Sequence, residues 1–411
     1  MADVTVLDVL LYGEPVGTLT RVGGDRILFA FNDIYIAEDN RPVLGLGFKD
    51  QFGELITEFK PTQTRVTPFF ANLLPEGHMR TYLAERAGVN PNREFFLLWV
   101  LGRDLPGAIT IRPADGEAWP EDGHDHADDD HDDDRRENAL RFSLAGVQLK
   151  FSAVNEASGG LTIPAKGVGG SWIVKLPSRE FEGVPENEFS MMTLAGLVGI
   201  DVPPIRLIDV DEIRNLPDGI GTLKGQALAI ERFDRAADGE AVHIEDFAQV
   251  FGIYPDDKYK AGNARSIAAV IGAEGQEDDI AEFIRRLTFN TLIGNADMHL
   301  KNWSLIYPDR RHAALAPAYD FVSTIPYIPD RNAALNFSRT KRFDEFSEDE
   351  LSHLAAKARL PEKPVLDAAF ETVERFHENW ALEKPNLPLS AAVIDAIEAQ
   401  MKIVPIAKAR G

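Results

Sequence analysis

The sequence of 411 residues contains no cysteine, which excludes disulfides and cysteine-ligated zinc and fits a reducing compartment. It also lacks a long apolar run. Phe95 to Leu101 is among the longest, far short of the ~20 residues that span a bilayer. The N-terminus, Met1-Ala-Asp-Val, has neither the basic region nor the apolar core of a secretory signal, so a cytoplasmic protein with no membrane partner is expected. Basic residues are scarce: 43 Lys and Arg stand against 66 Asp and Glu, a net charge of −23. Eight aspartates and one glutamate between 121 and 134 carry nine of those charges, and the remainder is still acidic. Such a surface repels a phosphate backbone, so any route to DNA runs through a basic partner.

What is present centres on Gly294-Asn295-Ala296-Asp297-Met298-His299-Leu300-Lys301-Asn302. The helical spacing of Ile280, Phe283, Ile284 and Leu287 precedes it, and a strand-like run from Trp303 to Tyr307 follows. Asp297 and Asn302 stand five residues apart, the interval of a kinase catalytic loop. There the aspartate accepts the proton of the attacking hydroxyl, and the asparagine gives Mg²⁺ a neutral hard oxygen. Asp320 comes eighteen residues after Asn302. A hairpin running out along 303–307, turning at 308–311 and returning along 313–319 would bring it back beside Asn302 as a second ligand.

The order of elements has the same shape. Residues 1–115 read as short antiparallel strands, with turns at Tyr12-Gly13 and Gly23-Gly24, followed by helices at 78–87 and 92–101 and a strand at 107–112. Residues 116–138 form an acidic linker. Its His124, His126 and His131 invite a metal reading, but a self-repelling, solvated tether is the stronger one. Residues 139–235 read as strands with one helix at 187–198. Residues 236–411 are mainly helical, with helices expected at 244–251, 278–292, 367–379 and 390–401, and a further one opened by the capping box at Ser347. A β-rich half followed by a helical half that carries the Asp-x4-Asn predicts an α+β, bilobal, protein-kinase-like fold.

Phosphotransfer also needs a cation on the nucleotide phosphates. Lys175, at the end of the apolar strand 171–175, is the candidate, with Glu188 as its helical partner. For the loop over the phosphates, Gly167 to Gly170 competes with Ser143 to Gln148. Backbone groups of 229–233 lie where a hinge would read the adenine.

Six stretches in order resemble the HipA family, the serine/threonine kinase toxins of bacterial toxin–antitoxin pairs. They are Phe70–Gly77, Ser143–Lys150, Ile173–Pro177, Glu231–Arg235, Gly294–Asn302 and Ala318–Phe321. The resemblance implies Asp297 as catalytic aspartate, Asn302 and Asp320 as Mg²⁺ ligands, and Lys175 on the ATP phosphates. It implies Glu231 and Phe233 at the adenine, Asp234 near the ribose, and His299 and Lys301 lining the site. It favours Ser143, Ala145, Gly146, Val147 and Gln148 as the phosphate loop, with Ser143 the site of autophosphorylation. It further implies an aminoacyl-tRNA synthetase as substrate, typically glutamyl-tRNA synthetase. The implied partner is a HipB-type helix-turn-helix antitoxin that holds operator DNA. The rival readings are a kinase-like phosphotransferase acting on a small molecule and an idle subunit of a repressor complex.

Overall fold

A computed structural model describes residues 5–114, 150–155, 160–163, 170–178, 180–216 and 223–408. The acidic linker, the histidines within it and the loop from Ser143 to Gln148 lie outside the described residues.

The chain opens with β1 (Val6–Leu11), β2 (Glu14–Val22) and β3 (Arg26–Phe31). Along β1, Leu7 and Val9 are buried while Asp8 is half-buried, the period of two that puts one face of a sheet on a core. Tyr12 and Gly13 both take positive φ, 54° and 82°, giving the two-residue turn whose twist matches the flanking strands. With β4 (Thr62–Gln63) and β5 (Ile109–Pro113) these strands form a sheet ordered β4-β3-β2-β1-β5. Four helices pack with it: α1 (Asp33–Ala37), α2 (Pro68–Ala71), α3 (Gly77–Arg86) and α4 (Glu94–Leu101).

A second sheet runs β10-β7-β6-β8-β11-β9. It comprises β6 (Lys150–Asn155), β7 (Leu161–Thr162), β8 (Trp172–Lys175), β9 (Ile205–Asp209), β10 (Ile213–Arg214) and β11 (Gln226–Glu231). The long helix α5 (Val184–Val198) lies between β8 and β9 in the chain and ends at Gly199, which caps it at φ 96°. The sheets of 5–114 and 150–231 share one apolar core, in which Phe29, Phe70 and Trp99 belong to the same cluster as Phe151, Val174 and Ala229. The division at the acidic linker is therefore one of chain order, not of separate cores.

The second core belongs to the helical half. It contains α6 (Phe247–Val250), α7 (Ala264–Glu274), α8 (Glu277–Ile293), α9 (Glu348–Ala358), α10 (Glu362–Glu383) and α11 (Ala391–Ile403). A small sheet, β12 (His243–Asp246), β13 (Ser304–Tyr307) and β14 (Ala314–Leu315), is ordered β12-β13-β14. The expected hairpin is β13 and β14, although its return strand pairs over two residues only. Two readings need correction. The helix expected over 244–251 is strand β12, paired with β13, and then a single turn capped by Asp246 and Gln249. Helix α7, capped by Asn263, was not anticipated. Among the described residues no helix is long and apolar enough to cross a membrane.

The seam between the N-terminal sheet and the helical half carries a buried carboxyl group. Glu245 accepts from Leu46 N (2.8 Å) and from the Tyr307 hydroxyl (2.5 Å), while its other oxygen is buried without a hydrogen bond. Burial pushes its pKa up to about 7. Between the unfolded value near ~4.3 and about 7, the native state holds a proton that the unfolded chain has released, so this group lowers stability as pH rises through that window. Glu245→Gln is expected to gain on wild type by on the order of 3 kcal/mol between pH 4 and pH 8 in denaturant unfolding. A stability difference that stays constant with pH would contradict this origin.

Candidate active site

Helix α8 delivers the central loop. It stops at Gly294, where φ is 67° and a Cβ would stand 2.4 Å from Ile325 Cδ1, so only glycine fits without displacement. The next residue, Asn295, ties the loop together. Its amide donates to Asn290 Oδ1 (2.8 Å) and to the backbone oxygen of Asp320 (3.2 Å), and its Oδ1 accepts from Asp297 N (3.0 Å). Asn302 Nδ2 donates to Asp297 O at 3.0 Å, closing the five-residue interval read from the sequence. Backbone and side-chain bonds thus fix the loop and leave the Asp297 carboxylate facing the cleft. The carboxylate is open to solvent on one side, while burial by the cleft walls pushes its pKa up. A raised pKa suits a group that must accept a proton.

The hairpin returns as expected. The Tyr319 hydroxyl donates to Lys301 O (2.8 Å), and Asp320 follows with φ 59°, in the left-handed region. There the Asp320 carboxylate meets Lys175 from the end of β8, and Lys175 Nζ also donates to Glu188 on α5 at 2.5 Å. Burial alone would depress the ammonium, but Asp320 and Glu188 hold its pKa above the ordinary lysine value, so it stays charged. Burial alone would raise Asp320, but the Lys175 ammonium keeps it well below the usual carboxylate range. Lys150 stands opposite Lys175 in the β6–β8 register and adds a second cation near Asp320. Its pKa is lowered, chiefly by burial. Nothing in the local sequence around Lys150 marks it for this position; the strand register does.

Two oxygens, on Asp320 and Asn302, are the donors available to a divalent cation. Among the described residues no group of three or more His, Asp and Glu could hold a metal alone. The donor set nevertheless fits Mg²⁺, which takes one or two protein oxygens and completes its octahedron with water and phosphate. Because Asn302 Nδ2 is held by Asp297 O, the amide has a fixed orientation with its oxygen turned the other way.

The hinge is built from β11 outward. Glu231 N donates to Pro204 O (2.9 Å) and Arg232 N to Ser171 O (2.8 Å). Glu231 is exposed, and the Phe233 ring lies 5.8 Å from that of Tyr319. Phe233 N–H meets no acceptor among the described residues.

Two expected site residues are turned elsewhere. Asp234 was expected near the ribose, but it is buried and both of its oxygens are occupied. Arg232 Nε (2.9 Å) and Nη2 (2.8 Å), Arg235 Nη1 (3.0 Å) and Gly107 N (2.9 Å) all donate to it. Burial would raise its pKa, but Arg232 holds it down to about 2. Lys301 was expected to line the nucleotide site, but its Nζ reaches the N-terminal module, donating to Asn72 O (3.0 Å) and pairing with Glu76 (2.8 Å). Glu76 also holds Lys258 at 2.7 Å, and the two ammonium groups keep it ionised, with a pKa near 2 despite burial. The motif from Phe70 to Gly77 therefore braces the loop that carries Asp297 and Asn302, through Asn72 and Glu76 on Lys301. His299 does sit at the site. Burial lowers its pKa to about 3, so it is neutral, and its Nδ1 is buried without a hydrogen bond.

The comparisons with known proteins agree with this architecture. The family model "HipA-like C-terminal domain" matches residues 142–380, and "HipA N-terminal domain" matches residues 7–112. Y4dM, an unconfirmed kinase of Sinorhizobium fredii, is 61% identical over 98% of both chains. The serine/threonine-protein kinase toxin HipA of Shewanella oneidensis is 28% identical over 65% of each chain. A solved Shewanella oneidensis structure of HipA with HipB and its operator DNA superposes with a TM-score of 0.71, covering 97% of this chain and 95% of that one at 21% identity.

Proposed function

The chain belongs to the HipA family, and from that premise we propose that it is an ATP-dependent serine/threonine kinase and the toxin of a toxin–antitoxin pair. The observation that carries the reading is the ring of groups around the cleft: Lys175 bound to Glu188 and Asp320, facing a loop that fixes Asp297 and Asn302. In the proposed reaction the acceptor hydroxyl donates to Asp297 and its oxygen attacks the γ-phosphorus of ATP. The bond from that phosphorus to the β–γ bridging oxygen breaks, ADP departs, and Asp297 holds the proton. Lys175, with Lys150 nearby, neutralises the nucleotide phosphates, and the backbone at Glu231 and Phe233 receives the adenine. Asn302 and Asp320 would hold Mg²⁺, which supplies charge neutralisation at the phosphates when bound.

The family resemblance supports an aminoacyl-tRNA synthetase, such as glutamyl-tRNA synthetase, as the acceptor. It also supports a HipB-type antitoxin as the partner that meets operator DNA, in keeping with the acidic charge of this chain.

Two measurements test the site. Asp320→Ala removes one of the two protein oxygens proposed for Mg²⁺ and the carboxylate that holds Lys175. It should weaken Mg²⁺-dependent ATP binding by at least about tenfold in calorimetry. Unchanged affinity would remove Asp320 from the metal site. The second concerns Ser143. A phosphate there adds about −1.5 to −2 charge to the loop that the resemblance sets over the ATP phosphates, and like charges in a partly dry cleft repel. After incubation with ATP, mass spectrometry should place phosphate on Ser143, and that form should no longer bind ATP. Phosphate found elsewhere, or tight ATP binding by the Ser143 phosphoform, would overturn this switch.

A further inference from the structure

The turn before α7 sends one side chain into the site that the kinase reading does not use. Tyr259 follows a short helical turn at Pro255–Asp257, and Lys258 O accepts from Leu300 N (3.4 Å) in the catalytic loop. Its neighbour Lys258 is anchored on Glu76, so the turn is tied to the loop and to the N-terminal module together. The Tyr259 ring packs edge-on against His299, with centroids 4.9 Å apart at 84°, and 46% of the residue is exposed. Its hydroxyl donates to Asp297 Oδ1. Among the described residues no other side chain donates to that carboxylate. The backbone N and O of Asp297 are bound by Asn295 and Asn302, so the residue is held in place while the phenol takes its carboxylate Oδ1.

A hydroxyl donating to the carboxylate of Asp297 is the arrangement the proposed reaction requires of its acceptor. We propose that Tyr259 is a placeholder for the acceptor: its phenol occupies Asp297 Oδ1, keeps water from that oxygen, and leaves when a substrate hydroxyl displaces it. This rests on the kinase reading. It makes Tyr259 a specificity-determining residue of the acceptor site, since a small nucleophile such as water has too few contacts to move the ring. A half-exposed ring on a surface turn can swing out without disturbing a core.

Tyr259→Phe keeps the ring and deletes only the hydroxyl, so folding is retained. Two readouts decide. The first does not need catalysis. With tyrosine labelled with ¹³C at Cζ, the Tyr259 signal, identified by its loss in Tyr259→Phe, is compared at one pH between wild type and Asp297→Asn. The phenol donates to the Asp297 carboxylate, so the signal should shift when an amide replaces that carboxylate. An unchanged Tyr259 signal would refute the contact and the proposal. The second is Mg²⁺–ATP hydrolysis, with water as the acceptor. Tyr259→Phe should hydrolyse ATP several-fold faster than wild type, because water gains access to Asp297. Unchanged or slower hydrolysis, in a preparation whose wild type transfers phosphate to protein, overturns the placeholder alone. Phosphate found on Tyr259 overturns it too, since the phenol would then be a substrate. A wild type that transfers no phosphate at all overturns the kinase reading and the placeholder with it.

Discussion

Asp297→Asn is expected to lower phosphate transfer by about 10²–10⁴-fold, the usual contribution of a positioned general base, while the melting temperature and nucleotide binding stay near wild type. The separation follows from where the groups lie. Asp297 contributes its backbone to the loop, through Asn295 and Asn302, and those bonds survive the substitution. Among the described side chains only Tyr259 donates a hydrogen bond to its carboxylate. Lys175, the cation proposed for the nucleotide phosphates, is bound to Glu188 and Asp320 and not to Asp297. An amide in place of the carboxylate still accepts a hydrogen bond but can no longer take the acceptor's proton. A well-folded Asp297→Asn protein with near-normal transfer would remove this residue from the mechanism.

The second large effect is on stability. Arg232→Met is expected to cost about 3–5 kcal/mol in denaturant unfolding, the range for removing one partner of a buried ion pair. Arg232 is 2% exposed and holds two carboxylates, Asp104 at 3.1 Å and Asp234 at 2.8 Å. Asp234 is buried and Asp104 is 3% exposed. Methionine fills much of the volume but leaves two buried carboxylates sharing Arg235, with Gly107 N still donating to Asp234. The loss should also reach the nucleotide, because Asp104 belongs to the N-terminal module and Arg232 to the hinge. The network ties one to the other beside the apolar core they share. A loss below about 1 kcal/mol would show that the carboxylates find other partners or that water enters.

The parts of the site legible in the sequence were those whose chemistry is local. Gly294, Asp297 and Asn302 share one loop, and Asp320 is reached by a hairpin of eighteen residues, so spacing alone brings them together. Lys175 was legible as the lysine that ends an apolar strand, where a phosphotransfer site needs a cation, and its pairing with Glu188 is the geometry observed. The misplaced residues are those whose partners are distant in the chain. Lys301 looks like a site lysine from its position beside Asn302, yet its partner Asn72 lies 229 residues away. Asp234 stands between Arg232 and Arg235 in its own stretch, but that both turn onto it and that Gly107 N, 127 residues away, joins them is set by the fold. Tyr259 carries no local signal, because its role comes from a contact across 38 residues. The fold followed the same rule. The hairpin at Tyr12-Gly13 was legible from its turn chemistry, and α8 and α11 from their helical spacing. The run at 244–251 was misread because a short apolar stretch supports strand or helix alike until its partner is known. Here the partner is β13, which pairs with His243 to Asp246 and settles the choice.

The central claim is that this cleft transfers the γ-phosphate of ATP to a hydroxyl through Asp297. Incubation of wild type and Asp297→Asn with Mg²⁺ and ATP labelled in the γ-phosphate, followed by quantifying label on protein, tests it most directly. The account predicts label on the wild-type protein within the incubation and a loss of about 10²–10⁴-fold in rate for the variant, with both proteins binding ATP. Equal labelling of the two, or no labelling of a wild-type protein shown to bind ATP, would contradict it.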